Sequence, residues 1–263
     1  MGEGDNVRLE TGGDGVATVW LDRPAVHNAF DEGLIAALSD RLRQVAADPA
    51  VRVVVLAASG KSFSAGADLN WMRRMAGYSA AENAADARRL ATLMQLLHDL
   101  PKPTVARVQG AAYGGGVGLV ACCDIAVAAE EAQFALTEVR LGLIPSVISP
   151  YVVAAIGARA ARRYFITGER FGAAEAARLG LVHRVVPAAG LDEAMAAVLA
   201  TLAEGGPEAQ RQAKALVADV ADRAIDPALI EMTVQRIAAI RAGAEGREGV
   251  AAFLEKRRPA WRG

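Results

Sequence analysis

The sequence predicts an α/β fold, and three observations carry that reading. Strand-like and helical patterns alternate in the order β, α, β near the N-terminus; the alternation then repeats; and beyond about Gly190 it gives way to consecutive alanine-rich helices. Such alternation favours layers of sheet and helix joined by crossover connections. With 263 residues, 53% of them hydrophobic, the chain can bury a substantial core.

Taken in order, "GVATVWLD" (Gly15 to Asp22) and "RVVVLAA" (Arg52 to Ala58) read as strands, with the helical pattern Asp31 to Ala47 between them. A second helical segment, Ala81 to Leu100, is stopped by "PKP" before the strand "TVARVQ", Thr104 to Gln109. The stretch Val108 to Ile125 holds five glycines between Gly110 and Gly118 and leads into the strand "DIAVAA", Asp124 to Ala129. The helical tail comprises Leu191 to Ala203, Pro207 to Ala224, Pro227 to Arg241 and Arg247 to Arg257. Helices without sheet partners bury their apolar faces against another subunit, so an oligomer is expected.

Twenty-nine basic and thirty acidic residues give a formal charge of -1, so no global field draws the chain onto nucleic acid or an anionic membrane. The only cysteines, Cys122 and Cys123, are adjacent. They leave no disulfide framework and suit a reducing compartment, so a cytoplasmic protein is expected. The start "MGEGDNVRLE" lacks the features of a secretory signal. Val108 to Ile125 is apolar for nearly the length of a membrane span, but its glycines, Gln109, Asp124 and missing basic flanks read as core.

Familiar motifs fail on spacing. "VLAASGKS" ends like a phosphate-binding loop, yet Val55 stands where its opening glycine belongs, which leaves Lys61 a solvated loop residue. Gly116, Gly118 and Ala121 fit a dinucleotide fingerprint, but "AAYGG" separates them from the preceding strand. His27, His98 and His183 lie far apart and the cysteine pair lacks ligand spacing, so no metal is predicted; His98 reads as structural.

Two small-residue loops remain, each after a strand and before a helix: "FSAGADL" (Phe63 to Leu69) and "YGGGVG" (Tyr113 to Gly118). Small residues let a ligand approach the backbone, and N–H groups at a helix start face outward with the positive end of the dipole behind them. Two such N–H groups converging on one point make an oxyanion hole. Alone, either loop reads as an ordinary tight turn with close helix-to-sheet packing.

In order, "FSAGADL", "GAAYGGGVGL..ACCDIAVAA" and "FALTEVRLGLIP" resemble the enoyl-CoA hydratase/isomerase (crotonase) superfamily. The likeness continues through "RPAVHNAF", "ARRYFITGERFGAAEAARLGLVHRVVP" and "FLEKRRPAW", and so covers nearly the whole chain. The resemblance implies a ClpP/crotonase-like spiral of ββα units over residues 1–190 and a helical region, 191–263, that mediates trimers or dimers of trimers. It also implies an acyl-CoA thioester substrate and no other cofactor. The N–H groups of Ala67 and Gly115 would hold the thioester oxygen. Main chain at Ala25, His27, Ala65, Asp68 and Leu69 would line CoA, and Tyr113 and Gly118 fall on the substrate side. Lys256 resembles a residue that meets CoA phosphates, and equally reads as a solvated tail lysine. Asp68 also reads as a helix N-cap.

One departure stands out. Hydratases of this superfamily usually carry two glutamates; here the first position is Gly118 and only Glu138 remains. Paired carboxylates divide the work of activating water and handling the α proton. Three readings stay open: a hydratase resembling the methylglutaconyl and isohexenylglutaconyl types, with Glu138 as acid/base; an isomerase in which Glu138 shuttles one proton; and a silent CoA-thioester-binding scaffold. Trp71, Met72, Met75, Tyr113 and Ser146 to Val152 either bound the acyl chain or belong to the core.

Overall fold

The computed structural model describes residues 6–262. They form two compact units, one running to Leu100 and resuming over Thr104–Ala196, the other made of Pro101–Pro103 and the chain from Ala197 on.

The first unit opens with β1 (Val7–Thr11), β2 (Val16–Leu21) and α1 (Glu32–Ala47). Next come β3 (Val53–Ala58), β4 (Ser62–Ser64), α2 (Leu69–Met75) and α3 (Ala80–His98). The following pair is β5 (Thr104–Val108) and β6 (Ala111–Tyr113) with α4 (Gly115–Cys122). Then β7 (Ile125–Ala129) and β8 (Gln133–Ala135) lead to α5 (Ser149–Thr167), β9 (Arg170–Gly172), α6 (Ala173–Leu179) and β10 (Arg184–Val186). One six-stranded sheet has the order β1-β2-β3-β5-β7-β10, and a four-stranded sheet the order β4-β6-β8-β9. Three times, then, the chain places one strand in the large sheet and the next in the small one before turning into a helix. This is the ββα spiral of the crotonase fold.

Local chemistry explains the elements. All six positions of β3 are buried, as a parallel strand covered on both faces requires, whereas β2 alternates buried and half-buried positions. In α1, Leu34, Leu38, Leu42 and Val45 recur on the buried face, and Asp31 caps the helix by accepting from Leu34 N at 2.8 Å. Ser79 and Glu82 form a capping box at the start of α3.

The structure refines the expected boundaries: α3 spans Ala80–His98 rather than Ala81 to Leu100. Four strands of three residues each, β4, β6, β8 and β9, are too short to leave a period in the sequence, and they exist because they pair with one another. The glycine-rich stretch is core: Val117, Leu119 and Val120 of α4 are buried. Among the described residues no helix is long and apolar enough to cross a membrane.

In the second unit lie the later part of α7 (Leu191–Glu204), α8 (Pro207–Val220), α9 (Pro227–Ala242) and α10 (Ala244–Leu254). Glu245 caps α8, its carboxylate accepting from Glu208 N and Ala209 N. Two of the expected helices differ in extent: α8 stops at Val220 rather than Ala224, and α10 runs from Ala244 to Leu254 rather than from Arg247 to Arg257. Ile230, Val234 and Ile237 recur at helical spacing on α9 and are about half exposed.

Candidate active site

The two small-residue loops come together in the first unit, and each has one peptide group whose direction is fixed by its neighbours. The segment from His27 to Phe30 runs beside the first loop: Ala65 N donates to His27 O at 2.9 Å, Phe30 N to Gly66 O at 2.7 Å and Asp68 N to Phe30 O at 2.8 Å. A trans peptide points its C=O and N–H in opposite directions. With the Gly66 carbonyl committed to Phe30, the N–H of Ala67 is turned away from that segment. Ala67 itself is exposed.

In the second loop Gly114 has φ +50°, a conformation side-chain-bearing residues avoid. Its N–H donates to Ala135 O at 2.9 Å and its carbonyl accepts from Gly118 N at 3.2 Å. The carbonyl therefore points along α4 and the N–H of Gly115, the first helical residue, points back out of the helix. No side chain caps this end, so that donor is one of the unpaired amides every helix start presents.

Close contacts bind the loops to each other and to Glu138. A Cβ built on Gly114 would stand 3.0 Å from Glu138 Oε1 and 3.9 Å from Gly66 Cα; one built on Gly66 would stand 3.4 Å from Tyr113 O. One on Gly115 would meet the Phe30 ring at 3.1 Å. Phe30 thus serves both loops, the first through its backbone and the second through its ring. Glu138 lies in the 3-10 turn Thr137–Leu141, held by Leu143 N donating to its carbonyl oxygen at 3.0 Å. Its Oε2 is buried without a hydrogen-bond partner, and burial raises the carboxyl pKa above the ordinary glutamate value. A desolvated carboxylate beside an uncapped helix start can take up and return a proton next to donors for a developing oxyanion.

The enoyl-CoA hydratase/isomerase family model matches residues 11–263. The chain belongs to this family. A solved enoyl-CoA hydratase from Shewanella pealeana is 46% identical, with a TM-score of 0.95 over 97% of this chain and 96% of that one. The hydroxycinnamoyl-CoA hydratase-lyase of Pseudomonas fluorescens is 36% identical over 76% of this chain and 74% of its own. The crotonyl-CoA hydratase of Syntrophomonas wolfei is 31% identical over 97% and 96%.

Against this family frame, the predicted residues fall into three groups. Ala67, Gly115, Tyr113 and Glu138 gather around the two loops. Ala25, His27, Ala65 and Leu69 are exposed on the segments that pair there, Leu69 to 69%. His27 has left-handed backbone and its Nδ1 lies 3.0 Å from Ser62 Oγ. Asp68 is buried and caps α2, accepting from Asn70 N at 2.8 Å and Trp71 N at 3.3 Å. The ring of Tyr113 lies under the Arg170 guanidinium at 5.4 Å.

Gly118 differs: it is buried one turn into α4, where a Cβ would meet Ile148 Cγ2 at 2.3 Å and Met94 Cε at 3.3 Å. It is a core position of the helix in this packing. Lys256 belongs to the helical unit, where it is exposed after α10, and is not among the residues the first unit gathers. Trp71, Ile148 and Val152 join the hydrophobic core, with Met75 packed against it, so most of the suggested acyl wall is core. Lys61 is an exposed loop residue. His98 is exposed, with its ring 5.1 Å from that of Tyr151.

Sequence reasoning missed three residues that build the site: Arg23, Asn28 and Phe30. Asn28 is fully buried with φ +54°, and its Nδ2 donates to Ser59 O and Ser62 O at 2.8 Å each. Asparagine tolerates that conformation better than most residues, which is the one signal "HNAF" carried.

Proposed function

We propose that this protein hydrates a 2-enoyl-CoA thioester, with Glu138 as the acid/base and the N–H groups of Ala67 and Gly115 as oxyanion donors. The observation that carries the proposal is the Glu138 carboxylate, whose Oε2 is buried and unpaired and whose Oε1 faces Gly114, one residue from the uncapped start of α4. The carboxylate accepts a proton from water as the water oxygen bonds to the β carbon. The π electrons move toward the thioester, and the two amides stabilise the enolate oxygen. The protonated Glu138 then returns the proton to the α carbon, so water is added across the double bond and the carboxylate is regenerated.

Main chain at Ala25, His27, Ala65, Asp68 and Leu69 lines the CoA moiety, and Lys256 meets its phosphates. The chemistry needs no cofactor beyond the CoA carried by the substrate. Exposed apolar residues of the helical unit, among them Ile230, Val234, Val250 and Phe253, support assembly into trimers or dimers of trimers.

Ile148 occupies the space beside Gly118, so no second carboxylate can stand there. That supports a branched glutaconyl-CoA substrate, whose own carboxylate assists in orienting water. It equally favours a second reading, an isomerase in which Glu138 alone carries a proton between carbons. A retained Glu138 with a raised pKa argues against a silent scaffold. The test is to offer 2-enoyl-, 3-enoyl- and branched glutaconyl-CoA esters and weigh the products. Gain of water supports the hydratase, a shifted double bond at constant mass the isomerase, and binding without change the scaffold.

A further inference from the structure

Arg23 lies in neither loop, yet its side chain ties together the two helix starts that bracket Ala67. Its Nη2 lies 2.8 Å from Asp31 Oδ2 and 3.6 Å from Asp68 Oδ2. Its Nη1 donates to Ala29 O at 2.7 Å, and its backbone N–H to Asn28 Oδ1 at 2.8 Å. The two aspartates are used alike. Oδ1 of Asp31 caps α1 through Leu34 N, Oδ1 of Asp68 caps α2 through Asn70 N and Trp71 N, and the other oxygen of each faces the same guanidinium.

Burial gives this arrangement weight, because the three side chains are only 17%, 20% and 10% exposed. Partly desolvated charges attract more strongly than surface pairs, and a planar guanidinium can satisfy several acceptors at fixed angles. The restraint acts at one place. Asp68 follows Ala67 directly, and its N–H is bonded to Phe30 O, while Gly66 O on the other side accepts from Phe30 N. Ala67 is therefore clamped from both sides, and Arg23 fixes the Asp68 side to the segment from Ala29 to Asp31 that supplies Phe30.

We propose that Arg23 is a positioning residue for the reaction: by holding Asp31 and Asp68 together it sets the direction of the Ala67 N–H toward the thioester oxygen. This rests on the assignment of Ala67 as an oxyanion donor. Displacing such a donor weakens transition-state stabilisation more than ground-state binding. The loss therefore falls on kcat and spares KM.

The experiment uses a chromophoric aryl-enoyl-CoA thioester, whose absorption shifts to the red when its carbonyl is polarised in the site. It compares wild type, Arg23→Gln and Arg23→Lys, each first shown to be folded by circular dichroism. The wild type shows the red shift. Arg23→Gln loses most of it, and with a turned-over enoyl-CoA its kcat falls about 10- to 100-fold while KM changes little. Arg23→Lys recovers part of both, since an ammonium can face the carboxylates but lacks the fork.

A folded Arg23→Gln that keeps the full red shift and wild-type kcat overturns the role of Arg23 and leaves the oxyanion assignment standing. Absence of a red shift in the wild type overturns that assignment, and this proposal with it. If Arg23→Gln does not fold, Asp68→Asn carries the same readout, because asparagine keeps the helix cap but gives up the charge facing Arg23. A reduced shift supports the proposal and an unchanged one overturns it.

Discussion

Gly114 and Glu138 leave no room for a side chain between them: a Cβ on the glycine would stand 3.0 Å from the carboxylate Oε1. The residue that turns β6 into α4 and the proposed acid/base of the site thus share a wall. Gly114→Ala meets that wall from a backbone of φ +50°. Strain of this kind costs on the order of 1–3 kcal/mol. The variant should unfold at lower denaturant and lose kcat, and wild-type values for both would mean that the contact is dispensable.

Glu138→Gln should abolish turnover while leaving binding of a CoA ester near the wild-type level by calorimetry. The reaction needs the carboxylate form, and burial raises its pKa. In the wild type kcat/KM should therefore fall, as pH drops, at a higher pH than an ordinary glutamate would give.

The same shift has a stability consequence. A carboxyl group whose pKa is raised on folding favours the folded state below its unfolded pKa, and that contribution is lost as pH rises through the folded value. Glutamine cannot ionise, so Glu138→Gln should melt higher than wild type at neutral and alkaline pH. The gain is roughly 1 kcal/mol, because the amide avoids the desolvated charge while leaving a polar atom in the same place. The difference should shrink toward acid pH, and scanning calorimetry across pH reads it; a gap that widens in acid would contradict the account.

At position 118 the obstacle is steric. Gly118→Glu drives a side chain into Ile148 and Met94 and should cost about 3 kcal/mol or more, through overpacking and burial of a charge. Pairing it with Ile148→Ala should recover part of that loss in urea titrations. Equal stability of Gly118→Glu and wild type would show that the helix start opens more easily than the packing implies. Gly115→Val, which meets the Phe30 ring at 3.1 Å, should lose both binding and turnover.

In the helical unit Phe253 and Leu254 are 82% and 73% exposed. Apolar surface of that kind is usually covered by another chain. Phe253→Asp should lower the mass seen by light scattering if these residues lie between subunits. An unchanged assembly would exclude Phe253 from the interface.

Much of the candidate site was legible because the groups proposed to work there are peptide N–H donors, and glycine and alanine stand in the sequence where larger side chains would obstruct them. Glu138 was legible as the acid that the family pattern keeps. What stayed hidden depends on partners distant in sequence. Arg23 shows its use only once Asp31 and Asp68 are beside it, and Ile148 only once α5 lies against Gly118. The four short strands of the small sheet were hidden for the same reason, since three residues carry no period and pairing alone defines them.

The central claim is that Glu138 exchanges a proton with the α carbon of a thioester whose oxygen is held by Ala67 and Gly115. Incubating a saturated acyl-CoA with the enzyme in deuterated water tests this without knowledge of the natural acyl chain, by reading the gain in mass at the α carbon. Wild type should incorporate deuterium, and Glu138→Gln should do so more slowly by a factor on the order of 10² to 10⁴. Equal rates in the two proteins, or no incorporation by wild type, would contradict it.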